Sequence, residues 1–334
     1  MPSAVALFSG GLDSMLAVRI LQREGFQVEG LHVRTLFRCC QVDAAQMAAL
    51  MGIRLTVVTV DDDYLDLIRH PMFGYGRGIN PCVDCRIYMA RLARRRMEQL
   101  QADLVITGEV LGQRPMSQKR RDLDVVQRHS GLEGRLLRPL SARLLPPTLA
   151  EQQGMIQRDR LYGFAGSGRR KLLELAARLG LPEPPTPSVG CALTQPTFAC
   201  KVRDLLRWQP QARRWDFDLL NYGRHVYLPP SHGSAETKSA TATNKVVLGR
   251  NARENAILQQ FAARPDASPS RLLEPENFQG PTALIVGPPV DAAVRLAGEL
   301  ILAHTRYFEA GNAKARLDQG GQSEVIQIVP AQQV

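Results

Sequence analysis

The apolar positions change their spacing along the chain, and the changes outline an alternation of strands and helices. Ala4 to Phe8 is a short continuous apolar run that stops at Ser9-Gly10-Gly11. A run of that length, closed by glycines, reads as a buried strand. Met15, Leu16, Val18, Ile20 and Leu21 then recur at helical spacing. Val28 to Val33 and Arg54 to Val60 read as further strands, with the helical segment Ala44 to Met51 between them. An arginine-rich helix over Arg86 to Leu100 precedes another buried-type strand, Leu104 to Thr107. Strand, helix, strand, helix predicts an α/β fold with a doubly wound parallel sheet. Ligands in such folds bind at loops on the carboxyl ends of the strands.

Proline breaks mark the later boundaries. Pro146-Pro147 and the segment Pro182 to Pro187 interrupt helical patterns, the second strongly enough to read as a linker. Cys191 to Trp208 reads as a short helical segment after a turn. Beyond Trp215 the pattern changes: Phe217 to Tyr227 and Lys245 to Leu248 read as strands around a polar loop, Ser231 to Asn244. Asn251 to Ala262 reads as a helix, Ala283 to Val286 as a strand, and Val290 to Thr305 as a final amphipathic helix. The expectation is a catalytic domain over 1–185, a linker over 186–214, a smaller α+β domain over 215–310 and a flexible tail over 311–334. No internal repeat is evident.

Composition narrows the class. The chain has 334 residues, 44% hydrophobic and 22% charged, which is globular and long enough for two domains. No apolar run approaches the length of a membrane span, and Val5 to Phe8 is too short for a signal peptide, so a cytoplasmic, membrane-free protein is expected. Six cysteines in such a chain are not a disulfide framework. The formal charge of +10, carried mostly by arginine, suits a polyanionic partner.

The loop after the first strand carries the clearest chemistry. In Ser9-Gly10-Gly11-Leu12-Asp13-Ser14, two glycines let backbone approach an anion, and the following helix offers free N–H groups and its positive dipole end. Ser9 and Ser14 add hydroxyls, and Asp13 could orient Mg²⁺ or a loop amide. Neither a Walker loop nor a G-x-G-x-x-G fingerprint is present. The stretch resembles the SGG-x-DS motif of the PP-loop ATP pyrophosphatases. That resemblance implies ATP held by Ser9, Gly10, Gly11, Leu12, Asp13 and Ser14, cleavage between its α and β phosphates, and adenylation of a carbonyl oxygen.

Asn80-Pro81-Cys82-Val83-Asp84-Cys85 places two thiols on the first turn of a helix, where the dipole favours thiolate. Such a pair could bind a metal or cluster, or act as nucleophile and partner. The stretch is similar to that of the tRNA 2-thiouridylases, where the first cysteine is catalytic. The run Gly74 to Arg86, and Thr107-Gly108-Glu109-Val110-Leu111-Gly112-Gln113-Arg114-Pro115, resemble PP-loop tRNA thiolation enzymes related to short 4-thiouridine synthetases. In that superfamily the Thr107-Gly108 segment closes over the nucleotide. Gly190-Cys191-Ala192-Leu193-Thr194 is similar to the stretch carrying their distal cysteine. The resemblance thus implies Cys82, Cys85 and Cys191 as ligands of a [4Fe–4S] cluster with one open iron. Zinc, or a cluster-free persulfide, are the alternatives. Cys200 is a second candidate for the distal position, without the motif. Cys39-Cys40 read as packing, and His32, His70, His129 and His225 as packing or surface. Asp61-Asp62-Asp63 reads as a solvated loop.

From Arg86 to Arg143 there are thirteen Lys/Arg against six Asp/Glu. Arg94-Arg95-Arg96, Arg114 and Lys119-Arg120-Arg121 follow the nucleotide and cysteine motifs, an arrangement that favours an RNA backbone over a solvated face. Arg169-Arg170-Lys171 is a third cluster. Asn221-Tyr222-Gly223-Arg224-His225 and the run Leu248 to Asn255 resemble stretches of the NFACT-type RNA-binding domain, which would assign Arg224 and Arg250 to phosphate. Asn255 could contact a base or merely cap a turn. Together these resemblances imply an ATP-dependent tRNA sulfurtransferase with tRNA, Mg²⁺ and a sulfur donor (sulfide or a cysteine desulfurase system), and with a second copy of the chain as a candidate partner. The alternatives are a PP-loop enzyme for a small molecule, or an RNA-binding adaptor with a non-catalytic nucleotide fold.

Overall fold

A computed structural model describes residues 1–37, 43–181, 190–228, 244–309 and 311–331. They divide into two compact units, Met1–Pro196 and Thr197–Val334. The first contains β1 (Ser3–Leu7), α1 (Leu12–Arg23), β2 (Gln27–Arg34), α2 (Ala44–Leu50), β3 (Arg54–Thr59), α3 (Asp63–Arg69), α4 (Cys82–Leu100), β4 (Leu104–Thr107), α5 (Arg120–Ser130), β5 (Leu136–Leu137), α6 (Leu149–Gln152) and α7 (Arg170–Arg178).

Its five strands are all parallel, in the order β3-β2-β1-β4-β5. Alternation along β1 divides the core. Ala4 and Ala6 face one cluster with Met15 and Leu16 of α1 and Leu172 and Leu175 of α7. Val5 faces the other, with Ile87, Ala90 and Met97 of α4 and Val126 of α5. Helices therefore cover both faces, and each fully buried leucine such as Leu16 contributes roughly 1.5–3 kcal/mol. The strand order reverses between β1 and β4, so a crevice opens beyond their carboxyl ends. Ser9 to Ser14 leaves β1 at that point, and Gly108 leaves β4 beside it.

The second unit contains α8 (Pro196–Trp208), α9 (Arg214–Leu219), β6 (Arg224–Tyr227), β7 (Lys245–Leu248), α10 (Ala252–Ala262), β8 (Ser270–Pro275), β9 (Ala283–Val286), α11 (Asp291–Ala303), β10 (Lys314–Gln319) and β11 (Gln322–Gln327). Its sheet runs β11-β10-β8-β9-β7-β6, every neighbouring pair antiparallel. It is the smaller α+β unit.

Three expectations need correction. The strand read over Phe217 to Tyr227 is split: α9 ends at Leu219 and β6 begins at Arg224. Trp215 and Leu219, one helical turn apart, bury against Val247, and this contact selects helix over strand. The tail from Gly311, expected to be flexible, contains the β10–β11 hairpin; Ala315 and Leu317 bury inward while polar residues face out, and Gly320-Gly321 turns with positive φ. The arginine-rich helix read over Arg86 to Leu100 begins instead at Cys82, so it and the helical turn read for the thiol pair are one element, entered at Pro81. Cys39-Cys40, the Pro182 to Pro187 linker and the loop before Asn244 lie outside the described residues.

Candidate active site

The glycine loop is built by its own backbone chemistry. Gly10 adopts φ +77°, a conformation that strains any residue with a Cβ. Gly11 precedes α1 in extended conformation, and no side chain caps the helix, so the N–H groups of its first turn remain open to an anion. The Ser14 hydroxyl donates to the Gly11 carbonyl at 2.8 Å and lies 3.3 Å from Ser9 Oγ. Leu12 points the other way, into the core.

Asp13 accepts a hydrogen bond from Gln113 Nε2 at 3.0 Å. Burial pushes its carboxyl up, and the Gln113 bond with the charges of Arg114 and Arg169 offsets only part of that. The loop after β4 thus reaches back to the loop after β1. Gly108 makes the contact tightest: a Cβ there would stand 2.4 Å from the Asp13 carbonyl carbon and oxygen and 2.6 Å from Ser14 N. Only glycine fits.

The next residue, Glu109, is a buried hub at 4% exposure. Its Oε2 accepts from Arg138 Nε at 3.0 Å and from Thr107 Oγ1 at 3.2 Å, while Oε1 lies 3.2 Å from Arg86 Nη1. Burial opposes its charge, but Arg138 and Arg86 together hold the carboxyl below the ordinary range. Arg138 is itself anchored to the Leu123 carbonyl at 3.1 Å.

Arg86 belongs to α4, and α4 carries the cysteine pair on its first turn. Asn80 and Pro81 carbonyls receive the Cys82 and Cys85 N–H groups, each at 2.9 Å. Asp84 does not join the thiols; its carboxylate accepts from Met72 N at 2.9 Å and Phe73 N at 3.2 Å and so fixes the preceding loop. Two backbone bonds bring the distal cysteine across: Ile79 N donates to Leu193 O at 3.1 Å, and Ala192 N to Phe37 O at 3.0 Å.

Tyr64 lies beside the thiols. Its hydroxyl donates to Cys85 Sγ at 3.1 Å. Burial raises its ionisation well above the ordinary range, and the charged forms of Cys85, Cys191 and Cys82 all add to that. Burial likewise pushes the Cys85 thiol up, against the Tyr64 hydrogen bond and the Arg86 charge. Cys82, Cys85 and Cys191 are half-buried thiols outside any disulfide, and Cys200 is an exposed thiol of the second unit. Three soft donors suit iron or zinc, yet as placed, no three His, Cys, Asp or Glu side chains among the described residues converge closely enough to hold a metal ion. The donor chemistry fits a cluster, and the present spacing of the sulfurs does not.

The arginines part company. Arg96 pairs with buried Glu29 at 2.7 Å, and Arg94 pairs with Glu98 at 3.3 Å while lying against Gly131. Both are held in the fold, whereas Arg95 is exposed. Arg114 and Lys119 are exposed, and Arg120, also exposed, donates to the Leu144 carbonyl at 3.0 Å. In the second unit Arg224 is exposed, but Arg250 forks onto Glu254, with Nε bonds of 2.9 and 2.8 Å. Glu254 also receives the Gly223 and Arg250 N–H groups at 3.2 and 3.0 Å. Asn255 takes the structural one of its two readings: its Oδ1 accepts from Thr282 N at 3.2 Å, filling space that a Cβ on Gly249 would occupy.

Sequence reasoning singled out the loop and the cysteines and missed Tyr64, Arg86, Glu109, Gln113 and Arg138 as their partners. The one available signal was a glutamate two residues after a short strand of the buried type, where a charge has no reason to be buried unless it is paired.

A parallel sheet with a glycine loop at its switch point, and a second antiparallel unit, define a doubly wound α/β fold of the PP-loop kind with a smaller α+β unit. Comparison with known proteins agrees with this for the first unit. Residues 2–143 match the family model described as thiamine biosynthesis protein (ThiI). The chain is 32% identical over 119 residues to the tRNA-specific 2-thiouridylase MnmA of Trichormus variabilis, covering 32% of this chain and 34% of that protein. To the enzyme of the same name from Synechococcus sp. it is 31% identical over 142 residues, covering 39% and 40%. The chain thus spans about a third to two fifths of the curated relatives it matches. Among solved structures, a 4-thiouridine synthetase–RNA complex with bound ATP aligns with TM-score 0.37 and 18% identity, over 63% of this chain and 51% of that one. No helix among the described residues is long and apolar enough to cross a membrane.

Proposed function

We propose that this protein is an ATP-dependent tRNA sulfurtransferase, which adenylates a uridine carbonyl oxygen and replaces that oxygen with sulfur. The observation that carries the reading is the connection of two centres through one short path. Asp13 and Ser14 of the glycine loop touch Gly108, Gly108 is followed by Glu109, and Glu109 pairs with Arg86 one residue beyond Cys85. A nucleotide loop and a thiol set one ion pair apart suit activation and sulfur delivery on the same substrate. The match of residues 2–143 to the ThiI family model, and the likeness to 2-thiouridylases, support it.

In this reading the loop Ser9 to Ser14 holds the ATP phosphates, with Mg²⁺ neutralising them, and Thr107-Gly108 closes the nucleotide side. The uridine oxygen displaces pyrophosphate from the α-phosphate, which makes the base carbon a good electrophile. Cys82, Cys85 and Cys191 supply the sulfur centre. We assign them the handling of sulfur, with a [4Fe–4S] cluster as the group that would hold sulfide on an open iron once the three sulfurs draw together from their present placement, and with sulfide supplied directly or through a cysteine desulfurase system. Their number and softness support that assignment, and iron and zinc analysis of anaerobically purified protein tests it. The second unit, read as NFACT-type, would hold tRNA through exposed cations such as Arg224, while Arg95, Arg114 and Lys119 line the first unit. Arg94, Arg96 and Arg250 would contribute less, because each already has a carboxylate partner. The protein would work in the cytoplasm.

The deciding experiment is mass spectrometry of tRNA nucleosides from a strain lacking the gene, together with pyrophosphate release by the purified protein. Loss of one thiouridine species, and tRNA-stimulated pyrophosphate release abolished by Asp13→Ala, is the expected result. Unaltered thiouridine content with no pyrophosphate release would point instead to an RNA-binding adaptor.

A further inference from the structure

The path between the two centres ends in a cation whose partner leaves most of it unused. Arg86 sits on the second turn of α4 and forms an ion pair with Glu109 Oε1 at 3.2 Å. Its side chain is 23% exposed. A guanidinium has five N–H donors. Glu109 is shared, because Arg138 holds its other oxygen at 3.0 Å, so the three side chains carry a net positive charge in a mostly enclosed place. Arg114 stands close enough for Arg86 to be the foremost influence loosening its proton, and Arg114 also acts on Asp13 of the glycine loop. Asp13, Glu109 and the Cys82 thiol offset the repulsion between these two cations only in part, which leaves the place favourable to a further anion.

We infer that Arg86, held in place by Glu109, binds the phosphate of AMP as AMP leaves the activated base. The inference rests on the function proposed above. In the second half of that reaction a sulfide-level sulfur forms a bond to the base carbon, and the bond from that carbon to the adenylate oxygen breaks. The electron pair departs on the oxygen of AMP, so negative charge grows on the phosphate. The departing phosphate lies between the glycine loop, which held it in ATP, and the cysteines, which face the carbon. Arg86 occupies that interval: Glu109 ties it to Gly108 and the loop, and α4 ties it to Cys85. Glu109 is a positioning residue in this account, since its carboxylate sets the guanidinium without touching the substrate. A fork of N–H donors suits a phosphate better than the point charge of lysine would.

The test uses the full-length protein and calorimetric titration with AMP and with adenosine, which differ only in the phosphate. Arg86→Ala is expected to weaken AMP binding about 10- to 100-fold, the range for a charged hydrogen-bonded contact, while adenosine affinity stays within about twofold. Arg86→Lys should fall between, and Glu109→Gln should lose part of the preference for AMP because the cation loses its holder. A merely structural role for either residue would lower AMP and adenosine affinity together, and that result overturns the inference. AMP affinity unchanged in Arg86→Ala overturns it as well. A wild-type protein that bound neither ATP, AMP nor adenosine would overturn the sulfurtransferase reading, and the inference with it.

Discussion

The Tyr64 hydroxyl donates to Cys85 Sγ at 3.1 Å, from a ring wedged between Phe37 and Tyr88, with ring centroids 6.4 and 5.3 Å away. The ring has little freedom, so the hydrogen bond is held by packing and fixes where one sulfur of the pair stands. Tyr64→Phe keeps the packing and removes the bond. With the hydrogen bond gone and the Arg86 charge left to oppose burial, the Cys85 thiol should hold its proton more tightly. Alkylation of metal-free protein at pH 8, followed by peptide mass mapping, should then show Cys85 reacting several-fold more slowly, with Cys82 much less affected. Equal rates at Cys85 in both proteins would show that the bond does not control the thiol.

Gly108 is a second pressure point. Because the atoms a Cβ would meet are backbone atoms of Asp13 and Ser14, no side chain can swing aside. Gly108→Ala should force β4 and α1 apart at the crevice, costing about 1–3 kcal/mol of stability, as overpacking usually does. Nucleotide affinity should fall more steeply than the melting temperature implies, because the displaced atoms belong to the loop proposed to hold the nucleotide. Thermal melts with and without ATP separate the two effects: an unchanged ATP-dependent shift in melting temperature would count against the assigned loop.

Glu254 predicts an acid-sensitive second unit. The Arg250 fork, ahead of the backbone donors, holds its carboxyl at about 2. A carboxylate depressed in the folded state stabilises the fold above its unfolded value near 4.5, and that stabilisation is lost as pH falls from there towards 2. The melting temperature should therefore drop over that interval, and Glu254→Gln should flatten the drop while lowering stability at pH 7. A variant with the wild-type acid profile would remove Glu254 from the account.

Lys245 predicts a gain in stability at alkaline pH. It is 2% exposed on β7, its Nζ has no hydrogen-bond partner among the described residues, and burial lowers its ionisation to about 8. Below that value the folded protein bears a buried ammonium that the unfolded chain would hold in water. Stability should rise as pH increases from about 8 towards the unfolded value near 10.4. Lys245→Met keeps the length of the side chain and removes the charge. It should raise the melting temperature at pH 7 and abolish the alkaline gain; a destabilised variant would mean that the ammonium is compensated after all.

Legibility in the sequence followed the range of the physics involved. The strands β4, β7 and β9 stand where their apolar runs placed them, and the loop from Ser9 to Ser14 and the thiols of α4 were visible because both are contiguous motifs. Periodicity of two or three and a half residues, and glycine or proline at a turn, are local causes with local effects. The split of the Phe217 to Tyr227 segment and the strands β8, β10 and β11 were not legible, since short half-polar runs become strands only when a neighbour offers a ladder of hydrogen bonds. The site divides in the same way. That Cys191 approaches Cys82 and Cys85 depends on Ile79 and Ala192 pairing with backbone far along the chain. That Glu109 binds Arg86 and Arg138, and that Arg96 is spent on Glu29 while Arg95 is left exposed, depends on which side chains the sheet brings together. An ion pair is set by distance and burial, and in this chain those are properties of the fold: residues 67 positions apart in sequence meet at 2.7 Å, and neighbours in sequence point to different surroundings.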